Sequence, residues 1–436
     1  MEIKAFRGYR YNQDVVRNVG DCIAPPYDVI DRRLQQVLYD RSPWNVARIT
    51  RGKSAPGDDE TRNTYTRAAT HFESFLSAGA LKQDTAESLY AYVQDFDEHG
   101  RALCRSGFIA LGKLQGLGRG VQPHERTLEG PKADRLKLTR ATGAQFGQIF
   151  MLYDDAEKVA EQVIRDAAAR PPLIDFRDDD EVRHRLYPID APRDIAALTR
   201  MMADKMVVIA DGHHRYETAL NYLAETKKAS AEYCMMTFVN MRNEGLVIFP
   251  THRLVSGLER FDIESLINRV QGDFEIQRFD FTSAHDKPAA RLKMFDRLQK
   301  LFQRSQNAFG IYAGSSCFYA AALKNPQAMD AACPHMSRAA RGLDVNVLHK
   351  LVLEAKLGIG EKELADETHI AYVKDIGDAI EQSVQTVDSG EAQAVFFMNP
   401  TRIEQVEAVA AAGEKMPQKS TFFHPKIFTG MVIYKY

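Results

Sequence analysis

The sequence predicts a mixed α/β (α+β) protein, and three observations predict it. Apolar runs of strand length recur at residues 89–93, 149–153, 206–210 and 394–398, bounded by turn residues or charges. Between them lie segments with apolar residues at helical spacing, such as Tyr65, Ala68, Phe72 and Phe75. A chain of 436 residues also exceeds what one core usually supports, so two or three packed subdomains are expected.

Taken in order, a helix is expected over 58–80, after a Gly/Pro-rich loop at 52–57. Strands at 89–93 and 108–111 read as a hairpin turning through Asp97-Glu98-His99-Gly100. A glycine-rich passage (Gly112, Gly116, Gly118, Gly120) leads into polar residues 124–140, read as a loop. A strand at 149–153 and a helix at 156–169 follow. From Pro192 the pattern alternates: helix 193–205, strand 206–210, helix 216–227, strand 235–239. Helices at 263–270, 291–301, 345–357 and 403–412, with strands near 311–312 and at 394–398, complete the chain. The expected organisation is an N-terminal region at 1–255 and a C-terminal α+β region at 256–436. The helical stretches at 343–357 are read as serving either a homodimer contact or the core.

Composition excludes several function classes. Lys plus Arg (57) nearly balances Asp plus Glu (59), so no bulk field draws the chain to nucleic acid or an acidic membrane. Any bound anion must be held by a local site. No apolar run approaches the ~20 residues that span a bilayer, and polar residues interrupt the first seven positions, where a signal peptide needs an apolar stretch. Cys22, Cys104, Cys234, Cys317 and Cys333 are scattered, odd in number and never spaced as CxxC, the pattern of reduced thiols. A cytoplasmic protein with a small-molecule substrate, no nucleic-acid partner and no membrane partner is expected.

The strongest local signal is Asp211-Gly212-His213-His214-Arg215, between an apolar strand and a helix with Tyr216, Ala219, Leu220 and Leu223 on one face. The first N–H groups of a helix lack intrahelical partners, and its dipole favours negative charge there. Gly212 permits a tight turn, Arg215 offers a fork of donors, and His213 and His214 donate or move protons near neutral pH. The bland alternative makes Asp211 a helix N-cap only.

A second constellation joins His124-Glu125-Arg126-Thr127 to Lys132, Asp134 and Arg135. It offers a general base in Glu125 and phosphate-binding cations, or else a solvated charged face. A third is Met416-Pro417-Gln418-Lys419-Ser420-Thr421-Phe422-Phe423-His424-Pro425-Lys426. Two prolines bar a regular helix there, while Lys419, Ser420 and Lys426 sit beside aromatic residues that seek burial. It reads as a site wall or a packed surface loop. Pro250-Thr251-His252-Arg253 and Ala24-Pro25-Pro26-Tyr27-Asp28 mark further strand-to-loop joints.

Together, APPYDVI at 24–30, HERT…GPKADRL at 124–136, IFMLY at 149–153, ADGHHRYETA at 210–219, PTHRL at 250–254 and MPQKSTFFHPK at 416–426 resemble the DUF1015 family. The DGHHR turn also resembles the phosphate-binding turn of free L-serine kinases in the ParB/sulfiredoxin superfamily. The resemblance implies a ParB/sulfiredoxin-like strand-turn-helix core and a small-molecule phosphotransferase making O-phosphoserine, with ATP, ADP or diphosphate as donor. It implies Asp211, Gly212, His213, His214 and Arg215 at the phosphates. Glu125 is assigned as base, although the two motifs are further apart here than in the compact kinases. Mg2+ is expected on the donor oxygens and Asp211, with Lys132, Arg135 or Lys419 steadying the migrating group. His124, Asp134, His252, Arg253, Ser420 and Lys426 complete the expected binding set. The competing readings are a non-catalytic sensor of phosphorylated metabolites and a phosphoester hydrolase.

Overall fold

The computed structural model describes residues 1–98, 100–125 and 129–436, Glu129 by its backbone alone. His99 of the hairpin turn and Arg126 and Thr127 of the HERT motif lie outside the described residues. The chain forms two compact units. The first comprises Met1–Pro123, Thr127–Val247 and Pro425–Tyr436, the second His124–Arg126 and Ile248–His424. The architecture is mixed α/β, as the periodicities predict.

The first unit is built on a nine-stranded mixed sheet. From one edge it runs Val121–Pro123, Val207–Asp211, Ile149–Tyr153, Tyr233–Asn240, Arg101–Lys113, Leu89–Glu98, Arg183–Ile189 and Ile174–Arg177, with Ile3–Lys4 added against Arg101–Lys113. The hairpin of Leu89–Glu98 with Arg101–Lys113 is antiparallel, and Asp97 accepts from the Gly100 N–H at 2.7 Å. Alternation of side chains along each strand gives the sheet two unlike faces. One presents Ala91, Phe108, Met151, Ile209, Met236 and Phe238 to a core shared with the helix Val159–Ala168. The other carries buried polar groups, among them Gln94, Arg105 and Thr237.

The C-terminal segment Pro425–Tyr436 is woven into this unit. Thr429 and Ala24 exchange backbone hydrogen bonds, Ile433 does so with Tyr9, and Tyr434–Lys435 pairs with Ala144–Gln145. Gln94 donates to the Lys426 carbonyl at 2.9 Å, and Arg105 donates to that of Pro425. This path fixes where Lys426 lies.

Two expectations change. Residues 124–140 do not form one loop, because Glu129–Thr142 is a helix. Pro131 falls in its first turn, where a missing N–H costs little. Packing against Thr64–Ser77 and His213–Thr226 outweighs the polar composition: Tyr65 donates to Asp134, Lys132 pairs with Glu217, and Leu138 is buried. The helix after the DGHHR turn spans His213–Thr226, so the two histidines and Arg215 are its first turn rather than a preceding loop.

The second unit has a six-stranded sheet, antiparallel throughout, in the order Phe274–Asp280, Cys317–Leu323, Ala308–Tyr312, Ala394–Met398, Thr251–Val255, Ile370–Lys374. Its core packs Phe318, Val395 and Phe397 against Met294 and Leu298 of the helix Lys287–Gln303. In the expected 345–357 helix Val345, Val347, Leu348, Val352 and Leu353 are buried within the chain, which is the core reading. It is α-helical at its ends, with a π-helical turn at His349–Glu354.

Phe108 is fully buried and stacks on Phe238 with centroids 5.2 Å apart. Phe108→Ala is expected to cost about 3–5 kcal/mol. The sole tryptophan, Trp44, packs edge-on to Phe75 in the same unit, so its fluorescence during urea denaturation is the measurement; an unmoved midpoint would contradict the packing.

Candidate functional site

The strand Val207–Asp211 pairs with Ile149–Tyr153, and its register slips between Ile209 and Asp211. A slip of this kind re-aims the side chain at the strand end. Gly212 follows at φ 93°, a left-handed conformation that glycine adopts without a Cβ penalty. A Cβ there would stand 2.8 Å from Arg215 Nε, so the missing side chain is also what lets the guanidinium fold over the turn. Gly212 is itself the helix N-cap, and as a glycine it brings no capping side chain. Asp211 therefore does not serve as the cap.

Asp211 instead gathers cations. Lys426 Nζ lies 3.2 Å from Oδ2, and Arg215 Nη2 lies 3.7 Å from Oδ1. Burial opposes ionisation of this carboxyl. The charges of Lys426 and Arg215, the Lys426 hydrogen bond and His213 overcome it, holding the group well below the usual carboxylate range. Arg215 also donates to the Gln148 carbonyl.

Two residues that carried no functional signal in the sequence complete the surroundings. Arg105 is 1% exposed; its Nε donates to Gln94 Oε1 at 3.1 Å, and its guanidinium lies 5.0 Å over the Phe150 ring. Burial lowers its pKa to about 10, while Tyr92 and Asp211 act to raise it, so it remains a cation at neutral pH and feels the Asp211 charge. Gln148 is fully buried, yet neither end of its side-chain amide has a hydrogen-bond partner among the described residues. Leaving such a group unmatched costs about 1–3 kcal/mol. An alternating strand pattern marks Arg105 as a charged residue in an otherwise apolar run; nothing local marks Gln148.

Arg215 also lines a cavity of about 70 Å³ with Pro26, Tyr27, Arg135, Phe146 and Thr429. The Arg135 guanidinium lies 3.9 Å over the Tyr27 ring and donates to the Thr50 carbonyl at 2.8 Å. Burial raises the Tyr27 pKa, with Arg135 and Arg215 opposing. Cys234, at the same cavity, is held as a neutral thiol by burial, its pKa raised to about 12. The PPYD, KADR and DGHHR motifs and the C-terminal segment thus converge on one place.

The family model described as "Protein of unknown function (DUF1015)" matches residues 3–346. The chain belongs to the DUF1015 family. No curated protein matches it. Among solved structures, a conserved hypothetical protein from Pyrococcus furiosus is 14% identical, over 71% of this chain and 89% of that one, with a TM-score of 0.33. A free serine kinase in complex with AMP is 13% identical over 70% and 83%, TM-score 0.33. SbnI with a C-terminal truncation, from Staphylococcus aureus, is 10% identical over 73% and 84%, TM-score 0.32. Likeness at that level carries no inference about this site.

In this DUF1015 chain the expected site residues fall into two sets. Asp211 to Arg215, Lys132, Asp134, Arg135 and Lys426 belong to the first unit. There Lys132 pairs with Glu217 at 2.9 Å, and Asp134 takes Arg135 Nε and the Tyr65 hydroxyl, each at 2.8 Å. His124, Glu125, His252, Arg253, Lys419 and Ser420 belong to the second unit. His124 Nε2 lies 2.8 Å from Thr421 Oγ1, and Glu125 accepts from the Lys419 N–H at 2.7 Å. Ser420 donates to the Pro417 carbonyl at 2.6 Å, and His252 Nδ1 accepts from the Met398 N–H at 3.2 Å. Arg253 is 1% exposed and donates to the carbonyls of Thr251 and Lys419.

Asp211 would offer Mg2+ one carboxylate, with donor phosphate oxygens and water completing the octahedron, and that carboxylate is shared with Lys426 and Arg215. Among the described residues no group of three or more His, Cys, Asp or Glu side chains is placed to hold a metal.

Two outcomes follow. Because the Asp211 pKa is depressed in the folded chain, its charge contributes stability above the unfolded carboxylate pKa of about 4, and the contribution fades as pH falls further. The stability difference between wild type and Asp211→Asn, from melting curves, should be full above about pH 4 and shrink below it; a constant difference would contradict the ion pairing. Gly212→Ala should cost about 1–2 kcal/mol through its backbone conformation, read as a lower midpoint in urea denaturation; an unmoved midpoint would contradict the left-handed turn.

Proposed function

We propose that the DGHHR turn is a phosphate-binding site and that the protein is a small-molecule phosphotransferase acting on a hydroxyl acceptor. The observation that carries the reading is the charge balance at the turn. Lys426, Arg215 and buried Arg105 act on one carboxylate, Asp211, beside a helix whose N-cap is the glycine Gly212. A surplus of fixed positive charge around a low-dielectric pocket is suited to the oxygens of a phosphoryl group. Asp211 keeps Lys426 and Arg215 aimed without cancelling them. Its depressed pKa makes it a poor proton acceptor, so its role is positioning.

Phosphoryl transfer needs position and electrostatic stabilisation more than covalent help from the protein. Arg215 and Lys426 supply both, and Arg105 adds a charge that solvent does not screen. The resemblance of the DGHHR turn to that of free L-serine kinases supports serine as acceptor and a nucleotide or diphosphate as donor. His213 and His214 open the helix as proton donors beside the phosphates. The phosphate site stands without Glu125, the carboxylate assigned as base.

The test is incubation of the purified chain with labelled serine, ATP, ADP or diphosphate, and magnesium, followed by mass spectrometry. O-phosphoserine is the expected product, and Arg215→Ala or Lys426→Ala should slow its formation about 100–1000-fold. A rise in melting temperature with phosphate compounds but no product would establish a sensor instead. Release of inorganic phosphate alone would establish a hydrolase.

A further inference from the structure

The second unit contains a buried cation with an unusual set of partners. Arg253 lies on the strand Thr251–Val255, and its hydrogen bonds go to neutral groups: the Thr251 carbonyl, the Lys419 carbonyl at 3.2 Å and His349 Nε2 at 3.4 Å. Its guanidinium sits 5.4 Å from the centre of the Tyr372 ring. Burial lowers its pKa to about 10, with Tyr372 and Glu125 opposing. A buried charge without a hydrogen-bonded counter-ion costs several kcal/mol.

His349 and Tyr372, the two rings against Arg253, form a wall of a cavity of about 90 Å³. At about 30 Å³ per water, that space holds about three water molecules. His349 is 3% exposed and opens a π-helical turn, His349–Glu354, a distortion found mostly as single turns at functional sites. Burial, then the charges of Arg253 and Lys350, pushes its pKa well below the ordinary histidine value. The ring is therefore neutral, and since Nε2 accepts from Arg253, Nδ1 carries the proton. That Nδ1 makes no hydrogen bond among the described residues. Asn346, 2% exposed on the same wall, donates to the Ala340 carbonyl at 2.7 Å, and its Oδ1 likewise has no partner among them. Lys415, just before the MPQKSTFFHPK motif, and Pro417 within it close another side. Lys350 is already held by Glu354 at 2.7 Å and Glu361 at 3.3 Å.

We infer that this cavity is a second ligand site, one that takes a small carboxylate with a hydrogen-bond donor on the neighbouring carbon. The carboxylate receives the His349 Nδ1–H, polarised by Arg253 behind the ring, and the Lys415 ammonium. The neighbouring hydroxyl or amino group donates to Asn346 Oδ1. Glu354 and Glu361 on the same lining disfavour a doubly charged phosphate. This site does not depend on the phosphate reading, because every residue in it belongs to the second unit.

The test uses the full chain with ring-15N histidine. Sodium lactate, sodium acetate and inorganic phosphate are titrated at constant ionic strength, with sodium chloride as the blank. Lactate is expected to shift the His349 Nδ1–H resonance saturably, with acetate weaker for want of the hydroxyl. Lys415→Ala, a change at an exposed side chain, should weaken lactate binding about tenfold by calorimetry, the loss of one charge-assisted hydrogen bond. Arg215→Ala should leave lactate binding unchanged. A resonance that lactate does not move, that phosphate moves as strongly, or that responds equally in Lys415→Ala overturns the site.

Discussion

The Asp211 carboxylate is the point on which the first unit's chemistry depends. It ends a strand, sits beside a glycine whose left-handed backbone carries a penalty for other residues, and faces Lys426, Arg215 and Arg105. Without it, three cations would face one another across a partly buried space. Like-charge repulsion there would push the side chains toward solvent. With it, two are anchored within 4 Å of one acceptor and the region still carries surplus positive charge. Anchoring and surplus are separate requirements of an anion site, and a single carboxylate meets both. A second one at the turn would have halved that surplus.

Lys426 reaches Asp211 only because the C-terminal segment is held on the sheet. Its hold comes from the polar face, where Gln94 and Arg105 bind the carbonyls of Lys426 and Pro425. Arg105 therefore works twice, as clamp for the segment and as part of the field at Asp211. This explains why a charged residue occupies a buried position in the long strand Arg101–Lys113. A hydrophobic residue would pack there at lower desolvation cost, but could not bind a main-chain carbonyl.

Much of this was legible in the sequence, and the rest was hidden for physical reasons. The strands at 149–153 and 394–398 appear at those limits because a buried five-residue apolar run has few other solutions. The DGHHR turn was visible because glycine, charge and amphipathic spacing coincide over a short stretch. The first helical turn was not, since His213, His214 and Arg215 carry no strong helix signal and their helicity follows from the Gly212 turn. Glu129–Thr142 was hidden by composition: its Lys132 and Asp134 look solvated until their partners Glu217 and Tyr65 are known. Lys426 illustrates the general limit. Its partner is 215 residues away, and no local pattern encodes that pairing.

Arg105 and Arg253 form an instructive pair, one in each unit. Both are 1% exposed, both sit on sheet strands, both lean on an aromatic ring and donate to main-chain carbonyls, and burial lowers both to about 10. They differ in what lies beyond the guanidinium. Arg105 faces a carboxylate that already carries two other cations, so its charge adds to a field directed at an anion. Arg253 faces a neutral imidazole, which cannot cancel the charge but can pass its influence to the other ring nitrogen. A neutral histidine between a buried cation and a cavity becomes a stronger hydrogen-bond donor without being charged itself. Its donor strength then holds across the pH range in which a free imidazole would titrate, because burial, helped by the same cation that polarises the ring, keeps it from taking a second proton.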